Sequence, residues 1–280
     1  MLMLIFVTVL TLFFAGCTDT SNDTTNNEGN NEPDNGSQDQ TNLVGHWKFD
    51  ENSGTQAADS ALSYNGIVHG ATWVEGKKGS ALYFDGIDDY VMLSQNAINS
   101  IGSLTQGTIA FWFKYESLLD TQTIMPILYL GNEDKNDQDS IFIIEIGHSD
   151  TQEQTLTPDP DNKKLYVTLT DLTQNSDPIL CFDTNQNLTE NTWYHFALVV
   201  GTDNNTGYLD GVELTNRRYN FGTSSDQKFL ADIPTKEQFT FGYGKQHHQI
   251  TPDFVNYKGY LDDIRIYNEP LSESDIQNLL

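Results

Sequence analysis

A carboxylate pair is the first arrangement in the sequence that could support catalysis. Retaining glycoside hydrolases need two carboxyl groups about 5 Å apart. The nearest candidate is Glu145 in the segment IEIGHSD, but Gly147 stands where a second carboxylate on the same strand face is expected. Asp150 has the wrong parity to share the face of Glu145. The sequence also lacks the nucleophile-elbow, zinc-protease and phosphate-loop motifs, so we expect no catalysis.

Aspartates at strand ends indicate a calcium site instead, because calcium prefers six to eight oxygen ligands. Asp262 alternates with Ile264 and is therefore expected to point into the core, where a carboxylate without a partner is costly. Asp50 ends the first predicted strand, and the first and last strands of jelly-roll folds often lie close together. The sequence therefore predicts a structural calcium held by Asp50 and Asp262, with Asp59 and the carbonyls of residues 52–55 as further ligands. The alternative is that these aspartates cap turns through hydrogen bonds.

Short alternating runs are the elements that must position these residues. Apolar and polar side chains alternate over residues 45–50, 109–114, 165–170 and 263–266. A period of two with β-branched and aromatic residues is typical of strands, and clusters of Gly, Asn and Asp separate the runs. Many short strands without intervening helices predict two packed antiparallel sheets. The fold class is therefore expected to be an all-β, two-sheet antiparallel β-sandwich.

One short helix is predicted at the C-terminal end. Ser272 can cap its first turn, and Asp275 lies three residues further on, as in a capping box. Ile276, Leu279 and Leu280 supply an apolar stripe. No long stretch elsewhere keeps a period of 3.6 residues, so no other helix is expected.

Five segments, taken in order, resemble the LamG-like jelly-roll family of the concanavalin A-like lectin/glucanase superfamily. They extend over the predicted domain 43–280 and are GHWKFDENSG from Gly45, GSALYFDGIDDYV from Gly79, TIAFWFK from Thr108, TWYHFALVV from Thr192 with GYLDG from Gly207, and GYLDDIRIYN from Gly259. The resemblance implies a jelly roll that recognises a carbohydrate or a cell-surface protein. Because a fold does not fix a function, a protein-adhesion module and a glycan-cleaving enzyme stay as alternatives.

The tryptophans within the predicted strands are expected to lie in the core rather than on a sugar-binding surface. Trp47, Trp112 and Trp193 all follow strand patterns. His195 shares the parity of Trp193 and is expected to be a buried histidine with satisfied hydrogen bonds, and Cys181 a small buried hydrophobe. Polar segments 132–140, 150–163 and 243–256 are long enough to shape a ligand site, but the sequence assigns no ligand-binding residue.

The N-terminal residues predict a lipid anchor. Residues 1–16 form an uncharged apolar leader that is shorter than the ~20 residues of a spanning helix and is typical of a lipoprotein signal peptide. Its end, FAGC, resembles a bacterial lipobox in which Cys17 is acylated and becomes the mature N-terminus. Residues 17–42 then form a polar, acidic segment that is expected to be a disordered tether. The alternative is an ordinary signal peptide with an incidental cysteine.

The charge of the chain limits its partners. The 280 residues carry a formal charge of −26, and removing the six acids of residues 18–42 leaves −20 on the predicted domain. Such a surface repels phosphates, so we expect no nucleic-acid partner. The charge is consistent with a neutral or weakly charged ligand. Thr18, rather than an aspartate, follows the predicted lipidated cysteine, so attachment to a bacterial outer membrane or cell surface is expected.

Overall fold

A computed structural model of the chain describes residues 42–117, 124–133, 140–147, 163–171, 178–245 and 254–280. All of them belong to one compact unit, Gly36–Leu280. The predicted leader, the predicted lipidation site Cys17 and nearly all of the predicted tether lie outside the described residues, as does Asp150. No helix in the described part of the chain has the length and apolar composition that crossing a membrane requires.

The described residues contain nineteen strands and two α-helices. They are, in chain order, β1 Leu43–Trp47, β2 Gln56–Ala57, β3 Gly66–His69, β4 Thr72–Glu75, β5 Ser80–Asp85, β6 Tyr90–Leu93, α1 Gln95–Ile101, β7 Gly107–Tyr115, β8 Met125–Gly131, β9 Ser140–Ile146, β10 Leu165–Asp171, β11 Pro178–Asp183, β12 Tyr194–Val200, β13 Asn205–Leu209, β14 Val212–Glu213, β15 Arg218–Phe221, β16 Gln238–Phe241, β17 Tyr243–Lys245, β18 Phe254–Asn256, β19 Lys258–Tyr267 and α2 Glu273–Asn278.

The strands form two large antiparallel sheets, which confirms the predicted sandwich. The first sheet has eight strands in the order β14-β13-β12-β7-β19-β5-β4, with β1 also paired to β19. The second has nine strands in the order β15-β11-β10-β9-β8-β16-β6-β3-β2. Strands β17 and β18 form a separate hairpin-like pair. Neighbours that are distant in sequence, such as β7 and β19, are typical of jelly-roll connections.

The main core lies between the inner faces of the two sheets. Alternate residues of β7, Phe111 and Phe113 among them, are fully buried in it. Trp47 of the first sheet meets Phe241 of the second edge-on, with ring centroids 5.1 Å apart, and is the one strand tryptophan that lies in this core. Burying each such aromatic side chain contributes about 1.5–3 kcal/mol. The predicted core position is thus confirmed for Trp47.

The sandwich carries two short helices, and one of them was not expected from the sequence. Helix α2 begins after Ser272, whose side chain and that of Asp275 form the predicted capping box. Helix α1 begins after Ser94, which accepts a hydrogen bond from the Ala97 N–H. Helix α1 is only seven residues long, so it is too short to show a period of 3.6 in the sequence.

Helix α2 covers part of the outer face of the first sheet. Its residues Ile276 and Leu279 belong to a second apolar cluster with Ala110, Ala197 and Tyr267, which point away from the main core. The neighbouring part of the same face is occupied by polar and aromatic side chains instead. That part of the face carries the candidate functional site.

Candidate functional site

Asp59, a predicted calcium ligand, closes a turn after the first strand. Its Oδ1 accepts hydrogen bonds from the backbone N–H groups of His46, at 2.7 Å, and Ala61, at 2.9 Å. Its Oδ2 accepts from Leu62 and Tyr64, at 3.0 and 2.9 Å. Four donors satisfy both oxygens of this buried carboxylate. The geometry is therefore that of the alternative interpretation, in which the aspartate caps a turn.

Asp262 and Asp50, the other two predicted ligands, hold a second turn. Oδ2 of Asp262 accepts from the N–H groups of Lys77 and Lys78, both at 2.8 Å, and Oδ1 of Asp50 accepts from Ser80 N–H at 2.9 Å. Oδ1 of Asp262 is buried and has no hydrogen-bond partner. Burial, with smaller contributions from the neighbouring Asp263 and Asp50 carboxylates, raises the pKa of Asp262 to about 6 against the two backbone hydrogen bonds, which lower it.

The structure does not bring the three predicted ligands together into one metal cluster. Among the described residues, the one group of three potential ligands within 4.8 Å of one another is Asp85, Asp88 and Asp89. Within this group Asp89 accepts a hydrogen bond from the Asp85 N–H, as a turn-capping carboxylate does. The calcium prediction stays a prediction, with the unpartnered Oδ1 of Asp262 as the feature that a cation would satisfy.

The expected direction of the Asp262 side chain was wrong. Leu261 and Ile264 lie in the main core, whereas Asp262 is paired opposite Trp112 on the outer face. The register of β19 against β7 shifts directly after Asp262, and Asp263 has a positive φ of 50°. This bulge inserts one residue, so the alternation on its two sides is out of phase. Asp262 is nevertheless fully buried, beneath the turn that it holds.

Polar side chains surround Asp262 on this outer face. The Asp263 carboxylate hydrogen-bonds His46 at 2.7 Å and Arg265 at 3.1 Å. It also pairs with the Lys78 ammonium group at 3.4 Å. The His46 hydrogen bond and the Arg265 charge, acting against desolvation, hold the pKa of Asp263 well below its usual range. The charged network thus fixes the bulge in place, because these partners come from β1, β19 and the turn after β4.

The aromatic side chains of this region are Trp112 and His195, whose ring centroids lie 5.2 Å apart. Both are buried, as expected, but on the outer face rather than in the main core. Lys77 Nζ lies 4.6 Å from the centre of the Trp112 ring. The His195 Nδ1 and Trp112 Nε1 atoms have no hydrogen-bond partner, so the expectation of a satisfied histidine was wrong. Desolvation lowers the pKa of His195 to about 4, so its ring is neutral at pH 7.

Three partly exposed aromatic residues adjoin this region and form what we call the aromatic surface: Tyr83, Trp193 and Tyr260. Tyr260 is paired opposite Tyr83 of β5, and their ring centroids are 4.9 Å apart. Trp193 directly precedes β12, and its ring lies 6.0 Å from that of Tyr260. The core position expected for Trp193 was therefore wrong. Clustered aromatic rings that stay open to solvent on a sheet face are typical of a binding surface.

Charged side chains border the aromatic surface. Lys114 of β7 is paired opposite Tyr260, and its Nζ lies 3.8 Å from the centre of the Tyr260 ring and 5.2 Å from that of Trp193. Glu116 pairs with Lys258 at 3.4 Å, and its charge acts on the hydroxyl of Tyr83. Burial, followed by the Glu116 charge, raises the pKa of Tyr83. The surface thus combines rings that can stack with groups that can bond hydroxyl or charged substituents.

A polar cavity of about 330 Å³ beside β13, β14 and β15 is a weaker candidate. Its lining includes Asn205, Glu213, Arg217 and Tyr219. Arg217 donates to the carbonyls of Leu214 and Asn205 and to the Tyr219 hydroxyl, and that hydroxyl donates to Asn205 Oδ1. These groups bond to one another, so fewer of them are available to a ligand.

A second row of aromatic rings runs along the outer side of the second sheet. His69 stacks on Tyr90 with centroids 4.3 Å apart, Tyr90 lies 5.3 Å from Tyr243, and Tyr243 stacks on Phe254 at 5.2 Å. Two of these three contacts are stacked, so the rings cover one another's faces. Fewer ring faces are left for a ligand here than on the aromatic surface. The polar segments 150–163 and 243–256 lie largely outside the described residues.

Comparison with known proteins shows where this fold recurs. The family model Laminin_G_3, described as concanavalin A-like lectin/glucanases superfamily, matches residues 85–277. No curated protein matches the sequence significantly. Among solved structures, domain 4 of AbnA, a GH43 extracellular arabinanase from Geobacillus stearothermophilus, in complex with arabinotriose, is similar with a TM-score of 0.53 and 19% identity, over 85% of this chain and 98% of that one.

Two further similar structures are larger proteins. The sialidase of Trypanosoma rangeli has a TM-score of 0.54 and 16% identity, over 85% of this chain and 32% of its own. The receptor binding domain of botulinum neurotoxin C/D mosaic serotype has a TM-score of 0.53 and 14% identity, over 85% of this chain and 50% of that one. The chain thus spans about a third of the sialidase and half of the toxin domain. At these identities the similarity concerns the fold alone.

Proposed function

The chain belongs to the Laminin_G_3 family of the concanavalin A-like lectin/glucanases superfamily, and from this premise we propose a function for it. We propose that the chain binds carbohydrate, without cleaving it, on the aromatic surface of its first sheet. The membership confirms the resemblance that the sequence carries. The bound arabinotriose of the similar arabinanase domain supports carbohydrate as the ligand class, since it places a sugar on a domain of this fold.

The observation that carries this proposal is the exposure of Trp193. Among the four tryptophans, Trp47 and Trp112 are buried, and Trp73, which is also partly exposed, uses its indole N–H on the Gly54 carbonyl. Trp193 is partly exposed, beside Tyr260. A sugar ring presents apolar C–H faces that pack on an aromatic ring, while its hydroxyl groups need donors and acceptors at the ring edge. The indole N–H and the flanking charged groups are placed to supply them.

Two carboxylates, Glu116 beside the aromatic surface and Glu145 on the other sheet, support binding rather than cleavage at this surface. Glycoside hydrolysis needs two accessible carboxyl groups, one of them free to donate a proton. Glu116, which borders the aromatic surface, pairs with Lys258. Glu145, the sequence candidate for a catalytic carboxylate, is fully buried on β9 of the other sheet. Neither residue is placed as half of a catalytic pair.

A glycan array, probed with and without calcium, tests the proposal. Wild-type protein is expected to bind a subset of plant, algal or host glycans, and the W193A and Y260A variants are expected to lose at least about tenfold in affinity, because each removes a stacking ring. Y90A is the matched control, since it removes a partly exposed tyrosine from the opposite sheet. Circular dichroism checks that each variant is folded.

The array also separates the alternatives. Failure to bind any glycan would favour a protein-adhesion module and would overturn the proposal. Unchanged binding by both W193A and Y260A would show that the binding site lies elsewhere on the molecule. New reducing or unsaturated ends in any bound glycan would reveal a glycan-cleaving enzyme instead.

We propose further that the domain is held at a bacterial outer membrane or cell surface by a lipid on Cys17. The support is the leader 1–16 with its lipobox-like end and the acidic segment 17–42, which is long enough to hold a domain away from a membrane. Mass spectrometry of the mature N-terminus is the test. Diacylglyceryl and acyl groups on Cys17 are expected, and an unmodified cysteine would contradict the anchor.

A further inference from the structure

Lys114 is held at the centre of the aromatic surface. It alternates along β7 with Phe113 and Tyr115, which are core residues, so its side chain stands on the outer face. Its Nζ lies 3.8 Å from the centre of the Tyr260 ring and 5.2 Å from that of Trp193. Attraction between the ammonium group and the negative ring faces fixes the charge beside the rings on which a sugar would stack.

This ammonium group has no acidic partner among the residues that the structure describes. No carboxylate oxygen in that part of the chain lies within 4.0 Å of Lys114 Nζ. The neighbouring carboxylate, Glu116, pairs with Lys258 at 3.4 Å. In a chain with 40 acidic and 14 basic residues, an unpaired lysine at the middle of a partly exposed surface is a feature that a ligand can use.

We infer that Lys114 makes the aromatic surface selective for an acidic sugar, one that carries a carboxylate or a sulfate group. This inference rests on the proposed function and names the ligand class of the same site. The sugar ring stacks beside Trp193 and Tyr260, and its charged substituent meets the Lys114 ammonium. An ion pair formed next to aromatic rings is partly shielded from water, so it is stronger than one on an open surface.

The net charge of −20 on the domain does not oppose this pairing at contact distance. At physiological ionic strength charges are screened beyond about 8 Å, so remote carboxylates act weakly on a bound ligand. The charged groups that border the aromatic surface include Lys114, Lys258, Glu116 and Asp85, whose charge acts on Tyr83. Lys258 pairs with Glu116, whereas no carboxylate of the described residues lies within 4.0 Å of Lys114 Nζ, so the Lys114 charge is the one that faces the ligand beside the rings.

Matched pairs of glycans test the inference by calorimetric titration. One arm uses oligogalacturonides and their methyl esters, in which a methyl group replaces the carboxylate charge. The other uses carrageenan oligosaccharides and their desulfated forms. Wild-type protein is expected to bind the charged member of one pair at least about tenfold more tightly, the range of a charge-assisted hydrogen bond. The arm that shows this preference identifies the acidic group.

The K114M variant keeps the length and the apolar stem of the side chain but removes its charge. It is expected to bind both members of the pair with the affinity that wild type shows for the neutral one. K228M is the control, because Lys228 is a partly exposed lysine on a different part of the chain, where it pairs with Asp232. It should keep the full preference.

Three other outcomes would overturn the inference, and each shows which part of the reasoning is wrong. If neutral glycans bind, W193A abolishes that binding, and no charged member is preferred, the ligand class is wrong but the proposed function stands. A charge preference that survives in K114M would move the anion site away from Lys114. If no glycan binds at all, on the array or in either arm, the proposed function fails and the inference fails with it.

Discussion

Replacing Asp262 with asparagine is expected to raise the stability of the metal-free protein at neutral pH but not at acid pH. The carboxyl group is fully buried, its Oδ1 has no hydrogen-bond partner, and its pKa is raised from 3.8 to about 6. The folded state therefore binds this proton more tightly than the unfolded state does. The stability that comes from the protonated carboxyl is complete below about pH 4 and is lost as the pH rises through about 6.

The size of the change in free energy of unfolding follows from the pKa shift of Asp262. A difference of about two units between the two states corresponds to about 3 kcal/mol over the whole window, and to about 2 kcal/mol between pH 4.5 and pH 8. The amide of D262N cannot ionise, yet its oxygen can still accept from the N–H groups of Lys77 and Lys78. Relative to wild type, D262N should thus gain about 2 kcal/mol in free energy of unfolding from pH 4.5 to pH 8.

Urea denaturation followed by tryptophan fluorescence, in buffer with a chelator at both pH values, measures this gain. D203N is the control, because Asp203 is exposed on a loop and its replacement should change stability by less than about 0.5 kcal/mol at either pH. A difference between D262N and wild type that is the same at pH 4.5 and pH 8 would refute the reasoning. It would mean that the buried carboxylate is not desolvated as the structure indicates.

The same variant tests the calcium prediction. If Asp262 and Asp50 hold a calcium ion, adding millimolar calcium to chelated wild-type protein should raise its Tm, because a ligand that binds only the folded state stabilises it. D262N should then show no calcium response and should be less stable than calcium-loaded wild type. If the Tm does not change on adding calcium, the calcium prediction is wrong and the two carboxylates act only as turn caps.

Three further outcomes are expected. D59A should lower the free energy of unfolding by about 3 kcal/mol, measured by urea denaturation, because it leaves four backbone donors without their acceptor; a loss below about 1 kcal/mol would contradict that role. The ring proton signals of His195 in NMR spectra should not shift between pH 8 and pH 5, since burial lowers its pKa to about 4. Cys181, whose pKa burial raises to about 12, should react with a disulfide reagent only after unfolding, and rapid labelling of the native protein would contradict its burial.

The fold could be predicted from the sequence because its signals are local. Alternation over five to nine residues identifies strands such as β7 and β12, and the capping pair of Ser272 and Asp275 identifies α2. Helix α1 was missed because its three buried residues occupy too short a segment to reveal a helical period. Which strands become neighbours depends on contacts between distant segments, and no local pattern carries that information.

The aromatic surface could not be predicted for the same reason. Tyr83, Lys114 and Tyr260 become neighbours only through the pairing of β5, β19 and β7, which are distant in sequence. One signal was available: Lys114 is a charged residue between the apolar Phe113 and Tyr115, so its parity marks the outward positions of β7. Trp112, two residues earlier, shares that parity, and following it would have placed this tryptophan on the outer face.

The bulge in β19 decides how this outer face is built. With unbroken alternation, residues 260, 262, 264 and 266 would share one side of the sheet. Ile264 and Ile266 are fully or almost fully buried in the core, so Tyr260 would then be forced into the core as well, or the two isoleucines would be exposed. The extra residue at Asp263, stabilised by His46 and Arg265, reverses the phase between the two halves of the strand. Tyr260 therefore stands beside Lys114 while the isoleucines stay buried, and the charged network around the bulge holds the aromatic surface in place as well as the turn above it.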